Sequence, residues 1–593
     1  MFWFAEWDRS KGNTSQPEIS VSFKPVFVVV ILLLSVCTQV EAEAPIPNVV
    51  VFLVDDMGWQ ETSVPFHTEV TELNKRYRTP NMERLAADGM RFTQAYASAV
   101  CSPSRVSILS GMNVARHRVT NWTLRKDRSP DQPSKFVEPP QWHLNGVATK
   151  ANLERTTRIT PLPALLNAAG YRTIHAGKAH FGAKGTPGED PMHFGFDVNI
   201  AGHAAGGPGS YWGEKNFSAA WRKEDRIWDV PGLEAYHGKE VYLTEAITLE
   251  AIKAVEKAVM EKKPFYLYLS HYAVHAPWEK DARFYQKYID AGLKPFEATL
   301  ASMVEGMDKS LGDVMEAVKR LHVDQNTVIL FLSDNGSPSQ CPHNLPLRGH
   351  KITPFEGGIR VPLIAKWPRV TEANSVNTNP VVVEDFFPTI LEMAGVTKLE
   401  TVQQVDGKSF VPLLKGNGNT PPDRAFVWHY PHQYGCTPFS AVRQGPWKLI
   451  YHHITRKQEL FNLNDDIGET TDLAASKPDK VVELAKVLGE RLRVMDAQMP
   501  TDKETRQPIE WPDRVTRKAK VAKPAEVYLL AGQSNMQGIG RIADHPADVP
   551  KTIPHTFFWT GQNFEPLVLG TTKISTRITD FGPEVGFALG TAK

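Results

Sequence analysis

After its first residue, the stretch Asn48–Val54 (NVVVFLV) carries only apolar side chains, and two aspartates follow it at once. A strand with one wet face would alternate apolar and polar residues. An unbroken apolar run fits a strand buried on both faces, as in parallel sheets covered by helices. Tyr171–Ala176, Phe265–Ser270 and Thr327–Leu332 also read as strands. Between them lie helix-like segments: Asn81–Asp88 stopped by Gly89, Leu162–Ala169 stopped by Gly170, the amphipathic Leu243–Glu261, and Leu300–Leu321. This alternation argues for an α/β fold, a mostly parallel sheet flanked by helices. Polar, Gly- and Pro-rich stretches at 124–160 and 183–235 interrupt it, and long loops in α/β proteins are often functional.

From about residue 425 the pattern changes. Phe426–His429, Ser440–Arg443 and Trp447–His452 look like short antiparallel strands, and Lys480–Val494 like a closing helix. The expected organisation is a catalytic domain over 46–420, a smaller antiparallel-sheet subdomain over 421–500, a charged linker over 501–525 and a last segment, 526–593, opened by the strand Val527–Ala531. Lys plus Arg number 67 against 66 for Asp plus Glu, so no bulk charge argues for a nucleic-acid partner. The one long apolar run, Val26–Cys37, is too short for a spanning helix of about 20 residues. It suits the core of a signal peptide cleaved after Ala42. Residues 1–42 are therefore read as a signal peptide, the mature chain as lacking an integral membrane domain, and the protein as exported to the periplasm or beyond. Three cysteines then remain, Cys101, Cys341 and Cys436. If Cys101 is chemically special, the other two either pair or stay free.

Asp55 and Asp56 follow one apolar strand, and Asp334 and Asn335 follow another. Ligands of open α/β sheets bind beyond the carboxyl ends of the strands, and adjacent carboxylates resist shared burial unless a cation compensates them. Three carboxylates and an amide oxygen are hard ligands, suited to Ca²⁺ or Mg²⁺. The sharpest feature is Cys101-Ser102-Pro103-Ser104-Arg105, followed by VSILSG up to Gly111.

This C-x-P-S-R segment resembles the signature of the type I sulfatases, in which the cysteine is oxidised to formylglycine. Ser110 stands where threonine is usual and Met112 where arginine is common. Further elements resemble the same family in order: VVVFLVDDMGW, GKAH (Gly177–His180), HAPW (His275–Trp278), LSDNG (Leu332–Gly336), and Lys351 with EGGIRVP (Glu356–Pro362). ELFNLNDDIGETTDL (Glu459–Leu473) resembles the family's C-terminal subdomain, so the likeness spans roughly 46–500.

The resemblance implies an alkaline-phosphatase-like fold. It also implies a metal site of Asp55, Asp56, Asp334, Asn335 and the modified Cys101, and a formylglycine-generating maturation enzyme as partner. Catalytic roles fall on Cys101, Arg105, Lys178, His180, His275 and Lys351. One hydroxyl of the hydrated aldehyde would attack sulfur, and the second would let the diol collapse and release sulfate. Lys178 and Lys351 would clamp sulfate oxygens; Arg105, one helical turn from Cys101, would hold the modified side chain or a metal carboxylate. His275 would protonate the leaving oxygen and His180 would serve the diol. His203, Trp212, His271 and His350 are further candidates for substrate contact; His271 could equally sit within its strand. The expected substrate is a sulfated carbohydrate, with a galactose or N-acetylgalactosamine unit favoured by likeness to bacterial polysaccharide sulfatases. The alternatives are a phosphonate or phosphodiester hydrolase on the same fold, and a sugar-binding pseudoenzyme. Val527–Gly538 (VYLLAGQSNMQG) and Phe581–Glu584 resemble the start of sialate O-acetylesterase-type carbohydrate esterases, with Ser534 as nucleophile. The base histidine and acid of that family come later than Lys593, so this truncated α/β fragment is expected to be inactive.

Overall fold

The computed structural model describes residues 46–515, except 223–224, 341–343, 397 and 399, and four short strands between 540 and 581. The expected signal peptide, Cys341, Val527–Ala531 and Ser534 lie outside the described residues. The chain divides into two compact units, the first ending at Arg514 and the second beginning at Val515. In the second, Thr552–Trp559 pairs antiparallel with Phe564–Val568, and Gly540–Arg541 with Asp580–Phe581.

The first unit is built on a nine-stranded sheet: β1 (Asn48–Val54), β2 (Met90–Tyr96), β3 (Arg172–Gly177), β4 (Val198–Ile200), β5 (Phe265–Ser270), β6 (Thr327–Ser333), β7 (Arg360–Lys366), β8 (Ser375–Asn377) and β9 (Val381–Val382). Its order is β8-β2-β7-β6-β1-β5-β3-β4, with β9 also on β2. β1, β3, β4, β5 and β6 pair in parallel, while β7 runs against both neighbours. β1 shows why its sequence is unbroken. Val49, Val51 and Leu53 enter one core, Val50, Phe52 and Val54 the other, and all seven of its residues are buried.

Helices α1 (Pro80–Asp88), α4 (Leu243–Met260), α5 (Ala282–Asp290) and α6 (Pro295–Arg320) contribute to the second of these cores. α2 (Cys101–Ser110), α3 (Leu162–Ala168) and α7 (Phe386–Met393) contribute to the first. On α4 the buried residues Leu243, Ala246, Ile247, Ala251, Val255 and Ala258 recur at helical spacing. α6 starts five residues before the expected Leu300, with Pro295 in its first turn, where a missing N–H costs nothing.

A four-stranded antiparallel sheet follows: β10 (Ala425–Tyr430), β11 (Phe439–Gln444), β12 (Trp447–His452) and β13 (Gln458–Asn462). It packs with α8 (Pro478–Val494) and shares the first core through Phe426, Trp428, Phe439 and Ile450. Residues 501–514 of the expected linker belong to the first unit, and 516–525 lie outside the described residues. Thr501–Asp502 pairs with Val137–Glu138, Ile509 is buried, and Arg456 and Arg493 bind Asp502 and Asp513 at 2.7 and 2.8 Å. Charge spacing alone made this stretch look solvated, but its acids have arginine partners on the folded body. The strand β7 escaped the sequence reading because Pro362 breaks its apolar run. The β7–β2 register shifts there, between Val361 and Leu363, where proline has no N–H to donate.

Candidate active site

The parallel register of β1 and β6 sets Val54 beside Ser333, so the residues that follow both strands emerge side by side. Asp55, Asp56, Asp334 and Asn335 are all buried there. The amide of Asp56 donates to Asp334 Oδ1 (3.2 Å), and Asn335 Nδ2 donates to Asp56 Oδ1 (2.7 Å). β3 ends beside β5, and its last residue, Gly177, turns sharply at φ +99°. A Cβ at Gly177 would meet Ser270 O at 1.9 Å, so only glycine allows the turn that lets Lys178 N bond Ser270 O (2.7 Å) and aims Lys178 inward. Lys178 Nζ then lies 2.5 Å from Asp55 Oδ2, and Lys351 Nζ lies 2.5 Å from Asp56 Oδ1.

Cys101 is the first residue of α2 and is buried. Arg105, fully enclosed, ties the site together. Its Nε and Nη2 hold Asp334 Oδ2 at 2.9 and 2.7 Å, and its Nη1 donates to Lys178 O (2.9 Å) and to Ser270 Oγ. Of the two expected tasks for Arg105, the geometry matches the grip on a metal-side carboxylate. Ligand atoms of Asp55, Cys101 and Asp334 all lie within 4.8 Å of one another.

His180 Nε2 faces Thr123 O at 2.7 Å. A carbonyl only accepts, so Nε2 carries the proton and Nδ1, buried without a partner, keeps its lone pair. By the same logic His275 Nδ1 donates to Ala276 O (2.8 Å), leaving Nε2 as the free nitrogen, 3.9 Å from Asp56 Oδ2. A Cβ at Gly206 would meet His180 Cε1 at 2.4 Å, so this glycine lets the 206–210 loop lie directly on the ring. Burial drives His275 down to about 3, with Asp56 pulling it back, and drives His180 well below the ordinary range, helped by Lys178. Burial pushes the Cys101 thiol up against the opposing pull of Lys178 and Lys351, so an unmodified thiol there is a poor nucleophile. Asp55 is raised far above the usual carboxylate range by burial and then by the charge of Asp334.

A divalent cation fits this donor set. Asp55 Oδ1 and Asn335 Oδ1 are buried oxygens with no hydrogen-bond partner among the described residues, and three crowded carboxylates repel one another. A pocket of about 130 Å³ opens onto Cys101, His180, His275 and Lys351. Its remaining wall is mostly apolar: Trp122, Trp228, Ile352 and Tyr434.

The four further substrate candidates fare differently. None lines this pocket. His271 is fully buried against Phe52 and bonded to Ser310 Oγ (2.8 Å), on the α6 side of the sheet, because it continues the alternation of β5. His203 offers its backbone carbonyl to His180 N (3.2 Å), Trp212 packs edge-on to Tyr242, and His350 Nδ1 turns back to Lys351 O (2.8 Å). The aromatic wall was missed instead. Its members come from loops whose sequences carry no periodic signal, although Trp122 borders the first of the two long loops singled out from composition and Trp228 lies within the second.

A profile of the family described as Sulfatase matches residues 47–396. The chain belongs to the sulfatase family. A second profile, N-sulphoglucosamine sulphohydrolase, C-terminal, matches residues 350–498 and takes in the four-stranded sheet and α8. Both end at or before residue 498, so they lend no support to the esterase reading of 526–593. A protein of Formosa agariphila described as a sulfatase is 30% identical over 505 residues, covering 75% of this chain and 88% of its own. The N-acetylgalactosamine-6-sulfatase of Mus musculus is 30% identical over 565 residues, covering 89% and 98%. Among solved structures, Ps i-CgsB in complex with k-i-k-neocarrahexaose superposes with a TM-score of 0.61 at 27% identity, covering 75% of this sulfatase and 92% of that chain. The mostly parallel sheet flanked by helices is thus the alkaline-phosphatase-like fold of the sulfatases, and the protein is a sulfatase.

Proposed function

We propose that this sulfatase removes a sulfate ester from a carbohydrate after a maturation enzyme has converted Cys101 to formylglycine. The observation that carries the reading is the place of Cys101. It lines a pocket, within 4.8 Å of two acids, with two lysines and two neutral imidazoles around it. Asp55, Asp56, Asp334 and Asn335 would hold Ca²⁺ or Mg²⁺, which when bound neutralises a sulfate oxygen and polarises sulfur. Formylglycine supplies, as its hydrate, one hydroxyl to displace the alcohol and a second through which sulfate departs.

The chain's own groups do the rest. Arg105 fixes Asp334 and, through Lys178 O, the turn that presents Lys178. Lys178 and Lys351, both buried, bring two positive charges to the sulfate oxygens. His180 has its Nδ1 lone pair free to take the hydroxyl proton. His275 presents Nε2 for the leaving oxygen, and an anionic ester in the pocket favours its protonated form. The names of the murine N-acetylgalactosamine-6-sulfatase and of the neocarrahexaose complex support a sulfated carbohydrate substrate, and an N-acetylgalactosamine or galactose unit is our choice. The leader read in residues 1–42 supports export, and no described helix is long and apolar enough to cross a membrane.

Mass spectrometry of the tryptic peptide Phe92–Arg105 from active protein tests the reading; an intact thiol would sink it. Sulfate release from a panel of sulfated mono- and oligosaccharides identifies the sugar. An aryl phosphonate turned over faster than the matching aryl sulfate would favour the phosphonate alternative.

A further inference from the structure

The pocket wall continues outward into a stack that the catalytic scheme does not use. Trp228 lines the pocket, and the Arg222 guanidinium lies 4.6 Å from its ring centroid. The Trp221 ring centroid lies 4.7 Å from the same guanidinium. Trp221 is 58% exposed, although its indole N–H is fixed to Gly209 O at 2.6 Å. The 206–210 loop that covers His180 therefore also anchors the outer ring of the stack.

Described residues on both sides of the stack are anchored. Asp229 accepts from Ala219 N and Arg226 Nε, both at 2.6 Å, and Arg125 Nη2 meets both oxygens of Asp225 at 2.9 Å. Asp225 and Asp229, the nearby carboxylates among the described residues, are thus engaged by other arginines. No hydrogen bond or ion pair to the Arg222 guanidinium occurs among the described residues. Two indole rings lie within 4.7 Å of it, and its donors lie in the guanidinium plane, the geometry that grips a carboxylate or sulfate side-on.

We propose that Trp221, Arg222 and Trp228 form a second anion subsite. It takes a carboxylate or sulfate on the sugar next to the one being desulfated, with the exposed Trp221 ring as a stacking platform. This rests on the sulfatase reading of the adjoining pocket and adds a preference for substrates with charge on two neighbouring rings.

The test is calorimetric titration of the Cys101→Ala protein with three sulfated disaccharides, whose neighbouring ring carries a carboxylate, a sulfate or no charge. At least one charged ligand should bind about tenfold tighter than the neutral one, as expected for one charge-assisted hydrogen-bonded pair. Arg222→Gln should erase that difference while leaving the neutral ligand's affinity unchanged. Arg222→Lys should retain part of it, because charge survives and the planar stack does not. Trp221→Ala should weaken all three without erasing the difference. Whichever charged ligand gains more identifies the anion. Equal affinities for all three in the parent protein, or equal weakening of all three by Arg222→Gln, would overturn the proposal. Aryl sulfate turnover, unchanged by Arg222→Gln, separates the two readings. A parent protein that releases no sulfate from any substrate removes the catalytic reading, while the titrations still decide the subsite.

Discussion

Replacing Lys448 with methionine would take one cation out of a sealed network and leave its shape. Lys448, on β12, is fully buried, with Nζ 2.8 Å from Glu356 and 2.8 Å from Glu469. Glu356 keeps other partners, the Tyr96 hydroxyl at 2.7 Å and Arg360 at 3.3 Å. Among the described residues the Glu469 carboxylate keeps only the Glu356 amide, at 2.7 Å. Removing one partner of a buried pair costs about 3–5 kcal/mol, because the other charge stays buried and uncompensated. At about 2.1 cal/mol/K per residue, the described body of about 470 residues unfolds with an entropy near 1 kcal/mol/K, so Tm should fall by about 3–5 °C. Burial and the charge of Glu356 already raise Glu469, with Lys448 opposing them. Losing Lys448 raises it further. A raised carboxyl is stable in its protonated form at low pH and loses that stability as pH climbs through its folded value. The Tm gap between variant and parent should therefore be wider at pH 8 than at pH 5. Adding Glu469→Gln should recover part of the loss at pH 8. Scanning calorimetry reads all of this. A drop under about 1 °C, the scale of an exposed pair such as Lys480–Glu483, or a gap that widens toward acid, would refute the reasoning.

Histidines distinguish core from site: His275→Asn should lower kcat by about 10²–10⁴-fold with Tm held, whereas His271→Leu should leave kcat near the parent value and move Tm instead. Gly177→Ala should cost both stability and turnover, since its Cβ would collide with Ser270 O; near-parent activity in the purified variant would contradict the argued turn. Chelation should stop sulfate release, and Ca²⁺ or Mg²⁺ should restore it and raise Tm, because binding relieves the repulsion among Asp55, Asp56 and Asp334; activity that survives exhaustive chelation would remove the metal from the reading.

Much of the site was legible before folding. Its acids follow apolar runs, and a buried strand announces itself by composition alone. β5 was found residue for residue and β1 as the opening strand, so the places where Asp55, Asp56, Asp334 and Asn335 emerge followed directly. What could not be read were the pieces with no local periodicity. β7 is interrupted by Pro362 and inverts the sheet direction. Residues 501–514 look like linker until Arg456 and Arg493 find their acids. His271 and His275 are four residues apart in one apolar-to-polar transition, and nothing local says that one faces α6 and the other faces Cys101.

The sequence by itself determined the chemistry available: a cysteine at the start of a helix, oxygen ligands at strand ends, and lysines and imidazoles in short fixed spacings. These are decided within a few residues, by strand burial, turn sterics and helix pitch. Tertiary structure alone decided what surrounds that chemistry. Trp122, Trp228, Ile352 and Tyr434 meet only because distant loops converge on the carboxyl edge of the sheet, and the Lys448 network exists only where the small sheet closes on the large one. Contacts across such separations depend on packing the whole chain, which no window of sequence contains.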